Sequence, residues 1–409
     1  MKKILSNVHY YMLLVLLAAI VLVQSACKKS SIYGTDTPVI TSVRNYVAAP
    51  GDSLLHNVGP GQWVVVTGHS LKGALQIYFD GTKASFNDAW FSDTTAIVLI
   101  PAVIAFPSVP TNQLNTIRYV TTHGETSFNF SIVAPAPTIS SISNEAANPG
   151  DSVTINGFNF FFIKSVVYAG KTVTGFTGSN DGTAIRLAVP AGVSNTGGIV
   201  TVTTNTGTAS TVYTVHDFVT GVACNFDAIN TYPWGSNTSN SSTAYPGNNG
   251  YYDVMGATNM PAGGTDWYNN PHSINLYGVQ WVPAANIASS LDSYAVKFEI
   301  SVPATTPWSN GTLYIVANYN FSNLAAYNPW LNSNGTTTPF TTNGWLTVTI
   351  PLSSFSVNNG AAGLPPASIS ALIGSSGNNA LEFMFMNYGK TPVVSFAAAI
   401  DNIRVVKIK

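Results

Sequence analysis

From Pro38 onward the chain is a succession of short runs in which apolar and polar residues alternate, separated by Gly, Pro, Asn and Asp. Alternation with a period of two marks strands with one buried face, and the separating residues are turn formers. No apolar stripe recurs at helical spacing with charged flanks, so long helices are excluded. The pattern also repeats. One run opens at Pro38-Val39-Ile40-Thr41-Ser42-Val43 and another at Pro137-Thr138-Ile139-Ser140-Ser141-Ile142, after the stiff linker Ala134-Pro135-Ala136. Each is followed by Pro-Gly-Asp, at residues 50–52 and 149–151, and then by a strand ending in Gly, at Gly68 and Gly157. Each then reaches an apolar strand that turns at Gly81 or Gly170, and each closes on a strand-rich tail, at 127–132 and 210–215. From about Val219 the texture changes: Trp and Tyr cluster with Asn and Gly, and strands are predicted over 294–301, 312–318, 345–350, 381–386 and 400–408.

Composition sharpens this all-β reading. Hydrophobic residues make up 45%, enough for sizeable cores, but charged residues only 8%, against roughly 25% in an average soluble protein. With 16 Lys+Arg against 17 Asp+Glu the net charge is −1. No basic field exists to neutralise phosphates, so nucleic acid is not an expected partner. Ser, Thr, Asn and Gly stand where charges usually stand.

The N-terminus reads as a targeting segment. Lys2 and Lys3 precede an apolar stretch from Tyr10 to Val23, shorter than the roughly 18–20 residues a spanning helix needs. Small residues then lead into Cys27, as at a cleavage site. Gln24-Ser25-Ala26-Cys27 resembles a bacterial lipobox, although Gln24 stands where Leu is usual. The resemblance implies residues 1–26 as a lipoprotein signal peptide, Cys27 as the lipidated residue, and 27–37 as a polar tether. A plain secretory signal with an incidental Cys is the competing reading. The scarcity of cysteine weighs for lipidation, since the only other one is Cys224. Cys224 lies in a strand-like run and is expected to be a small buried hydrophobe. No disulfide, metal or redox site is expected from cysteine.

The two repeats, 38–134 and 137–216, have the size of immunoglobulin-like sandwiches. Their openings, Ile155-Asn156-Gly157-Phe158-Asn159-Phe160 and the run from Val166 to Gly170 resemble the IPT/TIG family of immunoglobulin-like domains. The second copy is the clearer one, because Gly68-His69-Ser70-Leu71 carries no aromatic after the glycine. The resemblance implies spacer or interaction modules. Residues 219–409 are the length of a larger, jelly-roll-like sandwich.

What chemistry could that last segment carry? Beyond residue 218 there are seven acids: Asp227, Asp253, Asp266, Asp292, Glu299, Glu382 and Asp401. A glycosidase needs two carboxyl groups across a cleft. Glu299 and Glu382 read as strand residues, outward-facing or paired with a neighbour, while Asp253 and Asp266 read as turn residues or polar ligand contacts. No Gly-x-Ser-x-Gly elbow exists, and the six His show no metal spacing. His272 reads as a hydrogen-bonding loop residue. No catalytic residue, cofactor or metal is therefore expected. A hydrolase or lyase using Asp253 or Asp266 stays as an alternative, as does an adhesin whose aromatics meet a protein partner.

Aromatics in turn-like surroundings point elsewhere. Pyranose rings have apolar C–H faces that flat side chains bury, and a hydroxyl rim that amides and carboxylates satisfy. Trp234 sits in Tyr232-Pro233-Trp234-Gly235, and Trp267-Tyr268 in Gly263-Gly264-Thr265-Asp266-Trp267-Tyr268-Asn269-Asn270-Pro271. These three aromatics, with Asp266 and Asn269 beside them, are the expected ligand platform for a neutral polysaccharide. Trp330, in Tyr327-Asn328-Pro329-Trp330, is a candidate for a second platform or for packing. Trp345 reads as core, Trp308 as structural, and Trp281 stays open.

Pro307-Trp308, Gly311-Thr312-Leu313, Asn328-Pro329-Trp330, the run from Phe340 to Leu352 and Ile400-Asp401-Asn402-Ile403-Arg404-Val405 carry a further resemblance. They are similar to the glycan-binding domain of cell-surface glycan-binding lipoproteins, especially the xyloglucan-binding type. The resemblance implies display on the outer membrane by a lipid anchor, beside a TonB-dependent transporter and its glycan-binding lipoprotein partner. It also implies ligand contacts from an early Trp and a later aromatic pair, which fall on Trp234, Trp267 and Tyr268. Residues 237–250 are rich in Asn, Ser and Gly, which puts xyloglucan itself in doubt and leaves a β-glucan-like neutral polysaccharide as the expected class.

Overall fold

The computed structural model describes residues 36–409 except 232–236, 265–270, 320 and 358–362. Its described parts are built almost wholly of strands, in two compact units.

The first unit holds the residues up to Ile104 and Val109–Val133. Its main sheets run Leu54–Leu55, Val39–Asn45, Trp63–His69, Thr95–Leu99 and Thr82–Lys83, Ala74–Phe79, Thr116–Thr121, Gly124–Asn129. Within the second unit, residues 138–217 repeat the opening three-strand order of the one sheet and the four-strand order of the other, with the short edge strand of the first sheet moved to its opposite end. One sheet runs Thr138–Ile142, Ser152–Phe158, Ala184–Ala188, Phe176–Gly178; the other runs Lys171–Thr172, Ile163–Tyr168, Val200–Thr204, Thr208–Ser210. The repeat extends to side chains. Trp63–His69 and Ser152–Phe158 share one alternation of buried and less buried positions, as do Ala74–Phe79 and Ile163–Tyr168.

The strand-ending glycines have a steric cause. The opening strand bulges between Ile40 and Ser42 in one copy and between Ile139 and Ser141 in the other. That brings its carbonyls onto the glycine. A Cβ on Gly68 would lie 1.8 Å from the Val39 oxygen, and one on Gly157 would lie 2.0 Å from the Thr138 oxygen. No other residue fits either place.

Residues 222–407 form a larger two-sheet sandwich. One sheet runs Thr238–Ser239, Tyr252–Met260, Val393–Lys407, Tyr294–Ser301, Leu346–Pro351, with Val222–Cys224 also pairing Val393–Lys407. The other runs Ser273–Gln280, Asn378–Met386, Thr312–Ala317, Asn323–Tyr327, Ser356–Val357. Apolar residues of both sheets share one core, in which Phe385 stacks on Phe396 with ring centroids 4.1 Å apart. Cys224 lies in that core as expected, and burial pushes its thiol up to about 11.

Strands over 252–260 and 273–280 escape the sequence reading, because Gly256, Asn259, Asn275 and Gly278 interrupt their apolar runs. Their edges are held by neighbouring strands rather than by their own alternation. The closing strand begins at Val393, earlier than the predicted 400, because residues 393–400 pair with Tyr252–Met260.

The outer face of the six-stranded sheet is not solvated. Every residue of Tyr294–Ser301 is buried, on both faces. Glu145, from the segment after Thr138–Ile142, reaches this face and accepts from Lys297 Nζ at 2.5 Å and Arg404 at 2.8 Å. Arg404 also donates to Glu299 at 2.7 Å, and the Lys297 ammonium sits 3.3 Å from the Tyr213 ring centroid. Two acids thus offset two bases in a site closed to water. Glu299 is paired, one of the two expected arrangements, but through a contact far away in sequence.

Candidate functional site

The outer face of the five-stranded sheet is also closed along Ser273–Gln280 and Asn378–Met386, where Ser273, Asn275, Glu382, Met384 and Met386 are buried, but it is edged by tyrosines. Along Asn378–Met386 the core takes Leu381, Phe383 and Phe385, so alternation puts Ala380, Glu382, Met384 and Met386 on the opposite face. The same rule puts Ser273 and Asn275 there from Ser273–Gln280, and Thr312, Tyr314 and Val316 from Thr312–Ala317. The register sets Asn275 beside Glu382 and Glu382 beside Val316. Asn275 donates to Ser273 Oγ at 3.1 Å.

Four tyrosines gather on this face. Just beyond Thr312–Ala317, Tyr319 donates its hydroxyl to the Leu276 carbonyl at 2.9 Å, which takes its ring across the intervening strand. Burial, then Glu382 and Tyr277 nearby, push the Tyr319 hydroxyl up to about 12. Tyr314 meets Tyr388 edge-on at 6.1 Å. Tyr277 and Tyr388 are 70% and 60% exposed, whereas Trp281, Trp308 and Trp345 are buried.

Glu382 does not follow its sequence expectation. It is buried, one carboxylate oxygen has no partner among the described residues, and burial raises it to about 7. Asp253 is also corrected. It is no turn residue but a fully buried member of Tyr252–Met260, accepting the Asn237 N–H, and burial raises it to about 7. Neither acid presents an open carboxylate to solvent. Among the described residues no cluster of His, Cys, Asp or Glu could hold a metal ion.

Of the expected platform, Trp234, Asp266, Trp267, Tyr268 and Asn269 lie outside the described residues, as does Cys27. Their flanks are described. The Thr231 carbonyl, ahead of one segment, accepts the Tyr277 N–H at 2.9 Å. Gly264, ahead of the other, donates to the Asn387 carbonyl at 2.7 Å, and His272, after it, accepts from Phe385 N–H at 2.8 Å. Thr231 thus lies beside Ser273–Gln280, and Gly264 and His272 beside the end of Asn378–Met386. Trp330 is half-buried against the core and donates its indole N–H to the Gly311 carbonyl at 2.7 Å, so much of its surface is spent on packing. Trp281, open in sequence, is core, its indole N–H on the Asn379 carbonyl at 3.2 Å.

The sequence reading missed Tyr277 and Tyr388. The signal was there: Tyr388 stands between Asn387 and Gly389, and Tyr277 precedes Gly278, the turn context that singled out Trp234.

The sandwich coincides with a known domain. Residues 216–407 match the family described as surface glycan-binding protein B xyloglucan binding domain. An IPT/TIG domain-containing protein of Bacteroides ovatus is 28% identical over 177 residues, 40% of this chain and 36% of that relative. The chain thus spans about a third of that relative's length. Among solved structures, a surface glycan-binding protein from Prevotella bryantii superposes with a TM-score of 0.70 at 23% identity, over 91% of this chain and 99% of that one. A surface glycan-binding protein B from a complex xyloglucan utilization locus in Bacteroides uniformis gives 0.52 at 18%, with the same coverage. At such identities these two structures speak for the fold alone.

Proposed function

We propose that this protein is a noncatalytic, cell-surface glycan-binding lipoprotein that captures a neutral polysaccharide, β-glucan or xyloglucan-like. The observation carrying this reading is that the sandwich matching the xyloglucan-binding domain exposes Tyr277 and Tyr388 beside a sheet face on which, among the described residues, alternation places no Lys or Arg and no open pair of carboxylates. A neutral ligand suits such a face, because no charge must be desolvated without compensation. Trp234, Trp267 and Tyr268 supply the stacking surfaces, Asp266 and Asn269 the hydroxyl contacts, and Trp330 whatever part of its ring packing leaves open. The immunoglobulin-like modules hold this domain away from the membrane, to which lipidated Cys27 fixes the chain. Captured glycan then passes to a TonB-dependent transporter and its lipoprotein partner at the outer membrane.

The test is retardation of the full chain in polysaccharide-containing native gels, with reducing-sugar release assayed in parallel. Trp234→Ala, Trp267→Ala and Tyr268→Ala should each weaken retardation with melting nearly unchanged. Trp345→Ala should do the reverse, because truncating a buried aromatic costs about 3–5 kcal/mol. Release of product would favour the hydrolase alternative, and normal retardation of all three variants would remove these residues from the site.

A further inference from the structure

Tyr46, Trp63 and Trp90 stand together on the first unit. The Trp63 ring lies 6.1 Å from that of Tyr46 and 5.6 Å from that of Trp90, at interplanar angles of 44° and 59°. The three are 56%, 40% and 50% exposed, so the cluster is open to solvent along its whole length. Its backbone is nevertheless fixed. Trp63 opens the strand Trp63–His69, in which Val64 and Val66 take the core, so alternation turns Trp63 outward beside its pair Leu99. The outward neighbours Arg44, Val65, Ile97 and Leu99 are all partly exposed, and nothing closes this sheet face. Trp90 ends the single 3₁₀ turn Asp88–Trp90, capped by the Asn87 side chain and anchored by buried Phe91, which stacks on Phe86 at 5.2 Å. Tyr46 follows Asn45, which donates its N–H to the Ser53 carbonyl at 3.0 Å and accepts the Ser53 N–H at 2.7 Å.

Two observations separate this cluster from packing. Trp281, Trp308 and Trp330 give their indole N–H groups to chain carbonyls. Those of Trp63 and Trp90 have no acceptor among the described residues, and the exposed Gln62 and Asp88 side chains beside them make no hydrogen bond there either. The second module, moreover, does without the rings. Val43 pairs with Val66 as Ile142 pairs with Ile155, which sets Glu145 and Ser152 at the positions of Tyr46 and Trp63. The shared strand order does not require aromatics at this place.

We propose that Tyr46, Trp63 and Trp90 form a second glycan-binding site, on the first module, for a short stretch of a neutral sugar chain. The rings supply stacking faces, the two indole N–H groups supply donors, and Gln62 and Asp88 complete the contacts to hydroxyls. Arg44, two residues before Tyr46, is already paired with Asp52 and does not call for an anionic ligand. The area argues for a sugar rather than a protein partner. Half-exposed aromatic side chains offer on the order of 100 Å² each, a few hundred in all, whereas a stable protein interface takes about 800 Å² from each partner. Rings fixed in advance lose little freedom on binding.

This inference rests on the glycan-binding reading, and its test separates the two. The full chain, Trp63→Ser, Trp90→Ala and the double variant are titrated calorimetrically with β-glucan and xyloglucan oligosaccharides, with melting and sedimentation followed in parallel. Trp63→Ser installs the residue type that the second module carries at the matching position, so folding should survive it. The wild-type chain should bind two equivalents. Each single variant should weaken one of them about five- to thirtyfold, by analogy with base stacking on aromatic side chains. The double variant should bind one equivalent with melting nearly unchanged, and Trp90→Phe should keep most of the affinity. One equivalent in the wild type, or two at wild-type affinity in the double variant, overturns the inference and leaves the glycan reading standing. A fall in melting that accompanies the lost equivalent makes the rings packing residues and overturns it too. So does a wild-type dimer that the double variant loses while glycan binding stays unchanged. No binding by the wild-type chain overturns both readings.

Discussion

Replacing Glu145 with Gln keeps the shape of the side chain and removes one charge from a site sealed on all sides. In the wild type its two oxygens accept from Lys297 at 2.5 Å and Arg404 at 2.8 Å, and Glu145 is only 3% exposed. After substitution Glu299 alone faces two cations, and the amide cannot accept at both oxygens. Breaking a buried pair from one side costs about 3–5 kcal/mol, because the partner stays buried without compensation. For a unit of this size or somewhat smaller, each kcal/mol lowers melting by about 2–4 °C, giving a fall of about 6–20 °C. Burial already holds the Lys297 ammonium below its ordinary value, and loss of Glu145 should lower it further. A base depressed in the folded state is protonated more in the unfolded chain, so stability rises with pH across that window. The deficit of Glu145→Gln should therefore shrink as pH rises from 7 toward 9. Scanning calorimetry of the full chain at both pH values measures it. Asp52→Asn is the control: Arg44 and Asp52 also meet at 2.8 Å but are 37% and 34% exposed, and such pairs contribute at most about 1 kcal/mol. If Glu145→Gln melts with wild type at pH 7, the buried charges are worth no more than surface ones and the reasoning fails.

Gly157→Ala should unfold or strongly destabilise its sandwich, because the new methyl meets the Thr138 carbonyl, whereas Gly175→Ala, with open space around it, should be nearly neutral. Equal melting of the two variants would show that the bulge relaxes. Asp253 is held protonated by burial up to about pH 7 against an ordinary 3.8. The unfolded state then binds fewer protons between those values, so the wild type loses stability across that window as pH rises. Asp253→Asn should match wild type near pH 4 and melt higher than it at pH 8; an offset independent of pH would count against the assignment.

Alternation and turn chemistry were enough to read the all-β class, the repeated strand pattern and several strands, since these depend on each segment's own residues. Tyr294–Ser301 was read with its observed limits. The glycines at 68 and 157 were visible as strand ends, but their necessity came only from the carbonyl of a strand many residues away. The burial of both faces of Tyr294–Ser301 was likewise out of reach, because the cover includes Glu145 and Tyr213 from another part of the chain. Alternation says that two faces differ, not what lies on either. Asp253 and Glu382 were misjudged for the same reason: the desolvation that raises a carboxyl is the work of neighbours brought up by folding. The aromatics in turn contexts were a local signal, and Tyr388 carried it as clearly as Trp234. What tertiary structure alone decided is that Tyr277 and Tyr388, more than a hundred residues apart, share one sheet face with Asn275, Glu382, Tyr314 and Tyr319, because strand register rather than sequence distance sets which side chains meet.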